Sequence, residues 1–70
     1  MHYAIVIEWA GTNYSAYVPD LPGCIAVGDT LTEVQQSIRE AIALYVEVLR
    51  EDGQPVPPPS SQVAYVEVAA

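Results

Sequence analysis

The spacing of apolar residues changes period at Thr30, and this change restricts the possible folds more than any other feature of the chain. Before it, apolar and polar residues alternate over residues 2–9, which is typical of a half-buried β-strand. After it, apolar residues recur every three or four positions from Leu31 to Leu49, which is typical of an amphipathic helix. A chain in this order is predicted to fold as an α+β domain, with strands first and one helix after them.

Three short strands are predicted before the helix. Residues 2–18 are predicted to form a β-hairpin, because Gly11 and Asn13 in the connection can adopt the positive φ that a tight turn needs. Pro19 ends the second strand, since it has no N–H to donate to a neighbouring strand. A third strand follows over residues 24–28.

The segment PDLPG at residues 19–23 is predicted to be a structural turn. Pro19 and Pro22 fix φ on either side of it, and Gly23 permits the reversal of the chain. Asp20 is expected to cap the turn by accepting hydrogen bonds from nearby backbone amides. We therefore interpret this segment as architecture and not as an active-site loop.

A capping box marks the start of the helix. Thr30 is expected to accept a hydrogen bond from the amide of Glu33, whose side chain reaches back, and Gly53 marks the end. From Ala41 to Leu49 the sequence is apolar except for Glu47, a pattern that indicates burial on more than one side of the helix. We therefore predict a homo-oligomer, with an interface drawn from Leu44, Val46, Tyr65 and Val66.

The end of the chain is predicted to return to the sheet. The proline-rich segment 54–61 is a stiff connector, and residues 62–70 alternate again, which predicts a fourth strand parallel to the first. The expected fold is a two-layer β-β-β-α-β arrangement, with residues 1–70 forming a single domain. The helix covers one face of the sheet, and the bare opposite face also favours oligomerisation.

Charge limits the classes of partner. Nine acidic residues face two basic ones, Arg39 and Arg50, for a net charge of −7. Nucleic-acid binding needs cations that neutralise phosphates, so no direct nucleic-acid contact is expected. The acidity serves solubility or attracts a basic partner. No segment is apolar over a membrane-spanning length, and the single cysteine fits a reducing, cytoplasmic setting.

No catalytic or metal site and no cofactor are predicted. His2 lies beside a terminus, and Cys24 has no basic neighbour to lower its pKa, so we interpret it as a buried small hydrophobic residue. Glu8, Asp20 and Asp29 are expected near different strand ends. A metal-dependent nuclease that needs Asp20 remains an alternative, but the sequence predicts a binding module.

Together these motifs resemble those of the HicB-type antitoxin family. The resemblance rests on YSAYVPDLPGC ending at Cys24, on GDT at 28–30, on EAI and EDG in the helix region, and on PVPPPS after it. It covers nearly the whole chain in order. The fingerprint residues, which we interpret as scaffold, are Tyr17, Pro19, Asp20, Leu21, Pro22, Gly23, Cys24, Gly28, Asp29 and Thr30.

The resemblance implies a partial ribonuclease-H-like fold without catalytic carboxylates. It also implies that the protein binds and masks a HicA-type toxin, a small basic ribonuclease that cleaves mRNA. Glu33, Glu40 and Glu47 are predicted to attract such a partner. Longer family members continue into a DNA-binding domain, and the sequence as given, ending at Ala70, predicts a short stand-alone member. The alternative is an orphan oligomeric module that binds another protein or a small molecule.

Overall fold

Three antiparallel strands precede a single helix in the computed structural model, which describes residues 1–69. The elements are β1 (Val6–Trp9), β2 (Tyr14–Tyr17), β3 (Ile25–Gly28) and α1 (Leu31–Glu51). The sheet has the order β1-β2-β3, and both neighbouring pairs are antiparallel. The predicted α+β class and the position of the helix after the strands are confirmed.

The strand register places alternate residues on opposite faces of the sheet. Across the three strands, the row Ile7, Ala16 and Ala26 belongs to the core, and the adjacent row Val6, Tyr17 and Ile25 lies on the outer face. The helix packs on the inner face, mainly against β3 and β2. The result is two layers, with an outer sheet face that the rest of the chain leaves largely uncovered.

The core is small and includes the turn before β3. Its buried residues are Ala16, Val18, Leu21, Cys24, Val34 and Ile38. Leu21, in the middle of the turn, is fully buried, which contributes on the order of 2 kcal/mol to the free energy of unfolding. The turn therefore supplies part of the interior as well as connecting two strands.

The first strand is shorter than predicted. Pairing begins at Val6, which lies opposite Tyr17, and residues 2–5 are not part of the sheet. Extending the same register by two residues would place Ala4 opposite Pro19, which has no N–H to donate. Tyr3 and Ile5 still pack against the core, although they are not paired.

Local signals fix both ends of α1. The amide of Glu33 donates to Thr30 Oγ1 at 3.1 Å, as the capping box predicts. The Glu33 carboxylate accepts from the amide of Asp29 at 3.1 Å, one residue earlier than expected. At the other end Gly53 has a φ of 69°, and the amides of Gly53 and Gln54 donate to the carbonyls of Arg50 and Leu49. This is a Schellman motif.

The predicted fourth strand is not formed in the part of the chain that the structure describes. Residues 54–69 contain no strand, although Val63 and Tyr65 line a shallow cavity beside β1 together with residues 5–7. The C-terminal segment, residues 62–69, is exposed throughout and does not pair with β1. The backbone amides of Ser60 and Ser61, which precede this segment, donate hydrogen bonds to the side chain of Asp20.

Candidate protein-binding surfaces

The turn that carries the family fingerprint is held by its own backbone and by α1. The amides of Leu21 and Cys24 donate to the carbonyls of Val18 and Leu21 at 3.1 and 3.0 Å. Gly23 adopts a φ of 81°, a conformation in which a residue with a side chain is strained. The hydroxyl of Tyr45 on α1 donates to the carbonyl of Pro22 at 2.8 Å. The turn is thereby packed onto the helix.

Asp20 reaches a distant part of the chain rather than its own turn. Its Oδ2 accepts from the amides of Ser60 and Ser61, each at 2.9 Å. Its Oδ1 accepts from the hydroxyls of the same residues at 3.1 and 2.7 Å. The bonds from Ser61 are the main reason why the pKa of Asp20 lies below its ordinary value. The prediction of local capping by Asp20 was therefore wrong.

The side chains considered for chemistry are not gathered into a reactive site. Both carboxylate oxygens of Asp20 are engaged by serines. Cys24 is buried, and this burial raises the pKa of its thiol, which disfavours the nucleophilic thiolate. Within residues 1–69 no group of three His, Cys, Asp or Glu side chains is placed to hold a metal ion. In the same residues no helix has the length and apolar character needed to cross a membrane.

The three glutamates predicted to attract a partner lie on one face of α1. Glu33, Glu40 and Glu47 are spaced by seven residues, which is about two helical turns, so their side chains are aligned along the axis. All three are exposed. Glu40 accepts a hydrogen bond from the Gln36 amide at 3.2 Å. We call this row of three glutamates the acidic stripe.

An apolar groove of about 430 Å³ lies between α1 and the end of the turn, where β3 begins. It is lined by Gly23, Cys24, Ile25, Ala41, Leu44, Tyr45, Val48 and Leu49, none of which carries a charge at neutral pH. Ile25, Leu44 and Val48 are 70%, 61% and 45% exposed. We call this surface the edge groove.

The residues predicted as an oligomer interface do not form one patch. Leu44 lines the edge groove, whereas Val46 is half-buried beside Met1 and Tyr3. Residues two positions apart on a helix point about 200° apart, which puts Leu44 and Val46 on opposite flanks. Tyr65 and Val66 lie in the C-terminal segment, 96% and 83% exposed.

Sequence reasoning missed two exposed residues of the edge groove, Ile25 and Val48. Ile25 lies between Cys24 and Ala26 in the chain, and strand alternation could have placed it opposite the core face. Val48 lies one helical turn after Leu44 and could have been grouped with it. Each pattern is visible in the sequence. That Ile25 and Val48 line the same groove becomes evident only when β3 and α1 are placed side by side.

Comparison with known proteins identifies the family of this chain and several related proteins. Residues 3–69 match the family described as HicB_like antitoxin of bacterial toxin-antitoxin system. A UPF0150 protein of Synechocystis is 52% identical over 57 residues, 80% of this chain and 72% of that protein. An uncharacterized 14.9 kDa protein of Haemophilus phage HP1 is 42% identical over 57 residues, 81% of this chain. The match spans 43% of the phage protein.

The fold is also found in a solved structure. A chain of a structure described as the HicA3 and HicB3 toxin-antitoxin complex superposes with a TM-score of 0.73 at 33% sequence identity. The match covers 84% of this chain and 70% of that chain. It extends the relationship from sequence motifs to three-dimensional arrangement.

Proposed function

Because the chain belongs to the HicB-like antitoxin family of bacterial toxin-antitoxin systems, we propose that it is an antitoxin that binds and masks a small basic HicA-type toxin. The family match over residues 3–69 carries this proposal. The likeness to a chain from a HicA3 and HicB3 complex supports it. The protein acts by covering its partner in the cytoplasm and breaks no bond itself.

The acidic stripe is the surface that we assign to the encounter with the toxin. From Glu33 to Glu47 it extends about 21 Å along the helix at 1.5 Å per residue. A chain with a net charge of −7 attracts a basic protein over distances up to the Debye length, about 8 Å at physiological salt. Exposed carboxylates in a row raise the association rate and orient the encounter.

The size of the chain is compatible with masking by one face. Its accessible surface is 5323 Å², and a standard protein interface covers about 800 Å² per partner. Binding would thus use roughly 15% of the surface, comparable with one flank of a two-layer domain. A toxin whose substrate-binding face is covered in this way is inhibited by exclusion of its RNA. The antitoxin needs no contact with nucleic acid, in keeping with its two arginines.

The direct test is co-expression with a toxin encoded in the adjacent reading frame. We expect the chain to restore growth of cells that express the toxin and to co-purify with it. If no adjacent frame encodes a small basic protein, or if such a toxin neither binds the chain nor is neutralised by it, the proposal is wrong.

A charge-matched pair of variants tests the acidic stripe. The triple variant Glu33→Gln, Glu40→Gln and Glu47→Gln keeps a hydrogen-bond acceptor at position 33 and removes three charges. The control Glu8→Gln, Asp52→Asn and Glu67→Gln removes the same charge elsewhere. We expect the first variant to slow toxin association about tenfold more than the control at low salt. Equal rates would show that net charge matters and the stripe does not.

A further inference from the structure

We propose that Trp9 and Tyr14, at the end of the sheet beside the first hairpin, receive an arginine side chain of the basic partner. We call these two residues the aromatic pair. The inference rests on the proposed function, because it assigns a second contact to the same toxin. It names the chemistry of that contact, a guanidinium group on an aromatic ring, which the acidic stripe alone does not require.

The aromatic pair joins the two strands of the hairpin. Trp9 is the last residue of β1 and Tyr14 is the first of β2, and the register sets them directly opposite each other. Their ring centroids are 4.9 Å apart with an interplanar angle of 62°, which is an edge-to-face contact. Such a contact holds the indole in place, so a ligand need not order it on binding.

Trp9 is exposed although it lies on the face of the sheet that α1 covers. Alternation along β1 puts it on the same face as Ile7, in a row with Tyr14 and Gly28. The helix packs mainly on β3 and β2, and its first turns lie against Gly28. Trp9, on β1, is left 58% exposed. Burial in the core therefore does not account for a tryptophan at this position.

Two acidic residues lie at the same end of the molecule. Asp29 follows Gly28 in the chain, and its amide donates to the Glu33 carboxylate at 3.1 Å. Glu33 is also the first residue of the acidic stripe, so the stripe begins at the end that carries the aromatic pair. Trp9 and Gly28 are two strand spacings apart, about 10 Å. A small basic surface can therefore reach the aromatic pair and Glu33 together.

Aromatic rings close to carboxylates favour a cationic ligand over an apolar one. A cation within about 6 Å of a ring centroid is attracted by the ring, and tryptophan attracts it most strongly. Arginine is favoured over lysine, because its planar guanidinium stacks on the ring and is more weakly hydrated than an ammonium group. An apolar segment would also cover the indole but would gain nothing from Asp29 and Glu33.

The same residues have structural roles from which the binding role must be separated. Asp29 and Glu33 place negative charge at the positive end of the helix dipole. The contact of Trp9 with Tyr14 stabilises the hairpin as a cross-strand pair. Neither role gives the domain a preference for arginine over lysine in solution, so that preference is the measurement that distinguishes them.

Fluorescence tests the aromatic pair without the toxin. Trp9 is the single tryptophan of the chain, so its emission reports on this site alone. We expect a hexaarginine peptide at low salt to change the emission at concentrations several-fold lower than hexalysine, which has the same charge. Glu33→Gln should weaken the response about threefold, and Glu51→Gln, at the other end of α1, much less. Equal responses to the two peptides, or no response to either, would overturn the proposal.

Calorimetry with the toxin tests the same site in the complex. Trp9→Leu keeps an apolar side chain and removes the ring, and we expect it to raise the Kd for the toxin about fivefold. Tyr65→Leu removes a 96% exposed ring from the C-terminal segment and should leave the Kd unchanged. Far-UV circular dichroism shows that both variants are folded. Equal weakening by the two substitutions would contradict the proposal, since the loss of any exposed ring would then suffice.

The outcomes separate this inference from the antitoxin proposal. A toxin that binds the wild type and Trp9→Leu equally would overturn the arginine site and leave the antitoxin function intact. If the toxin does not bind the chain at all, the antitoxin proposal fails. The peptide titration then still decides whether the aromatic pair takes a guanidinium group.

Discussion

Asp20 joins two parts of the chain that are 40 residues apart. Four hydrogen bonds from Ser60 and Ser61 end on its carboxylate, and they define where the C-terminal segment leaves the body of the domain. A negatively charged acceptor strengthens each of these bonds. The attachment therefore depends on the ionisation of one side chain.

Acid should release this attachment. The pKa of Asp20 is lower in the folded chain than its ordinary value of 3.8, so the stabilisation is fully present above that value and is lost as pH falls through the lowered pKa. We expect the amides of Ser60 and Ser61 to exchange hydrogen several-fold faster in acid than at pH 5, after correction for intrinsic rates. Hydrogen-exchange mass spectrometry measures this.

Asp20→Asn provides the comparison at constant pH. It should give fast exchange at Ser60 and Ser61 throughout the pH range, because an amide offers one acceptor oxygen and no charge. Asp29→Asn changes a side chain outside this contact and should leave both amides protected. Protection that persists in Asp20→Asn would show that the segment is held by other contacts.

Gly28 is required for a close approach between β3 and α1. A Cβ at this position would lie 2.5 Å from the backbone nitrogen of Val34 and 2.9 Å from its Cα. Backbone cannot move aside as a flexible side chain can, so Gly28→Ala should lower the free energy of unfolding by about 1–3 kcal/mol. Urea denaturation measures the change. Ser15→Ala, on the outer sheet face, should alter stability by less than about 0.5 kcal/mol.

At the scale of elements, the start of α1 depends on the hydroxyl of Thr30. It accepts a hydrogen bond from the amide of Glu33, one of the N–H groups at the helix start that have no partner within the helix. Thr30→Ala should lower the free energy of unfolding by about 1 kcal/mol. Thr32→Ala, in the same turn, is the matched control and should cost much less. Equal effects of the two substitutions in thermal or urea denaturation would mean that the cap contributes nothing.

The elements that could be predicted from the sequence are those whose signals are local. The start and end of α1 follow from Thr30 and Gly53 within a few residues of each boundary. The shortening of β1 depends on which residue lies opposite Pro19, and this requires the register of a second strand. The edge groove draws on the turn, β3 and α1 at once, so the sequence pattern of each part alone does not reveal it.

At the scale of the whole molecule, acidic and apolar surfaces lie side by side on α1. Leu44, which lines the edge groove, is one helical turn from Glu40 and from Glu47 of the acidic stripe. Under the proposed function, the acidic stripe serves a basic partner. A helix of 21 residues, long for a domain of 70 residues, carries both surfaces.

The acidic stripe predicts how toxin binding responds to ionic strength. Encounters guided by the acidic stripe should slow about tenfold or more between roughly 50 and 500 mM salt, because screening shortens the range of the attraction. Dissociation should change much less. Stopped-flow or surface-binding measurements at several salt concentrations test this, and an association rate that does not vary with salt would rule out electrostatic steering.

The buried leucine in the fingerprint turn has a consequence for length variation. Surface loops usually accept added residues, because they contribute little to the interior. In this chain an insertion within 19–23 would displace Leu21 from a fully enclosed position, whereas one at the exposed hairpin tip, residues 10–12, would disturb nothing packed. The hairpin between β1 and β2 should therefore tolerate inserted residues, whereas the turn between β2 and β3 should keep its length.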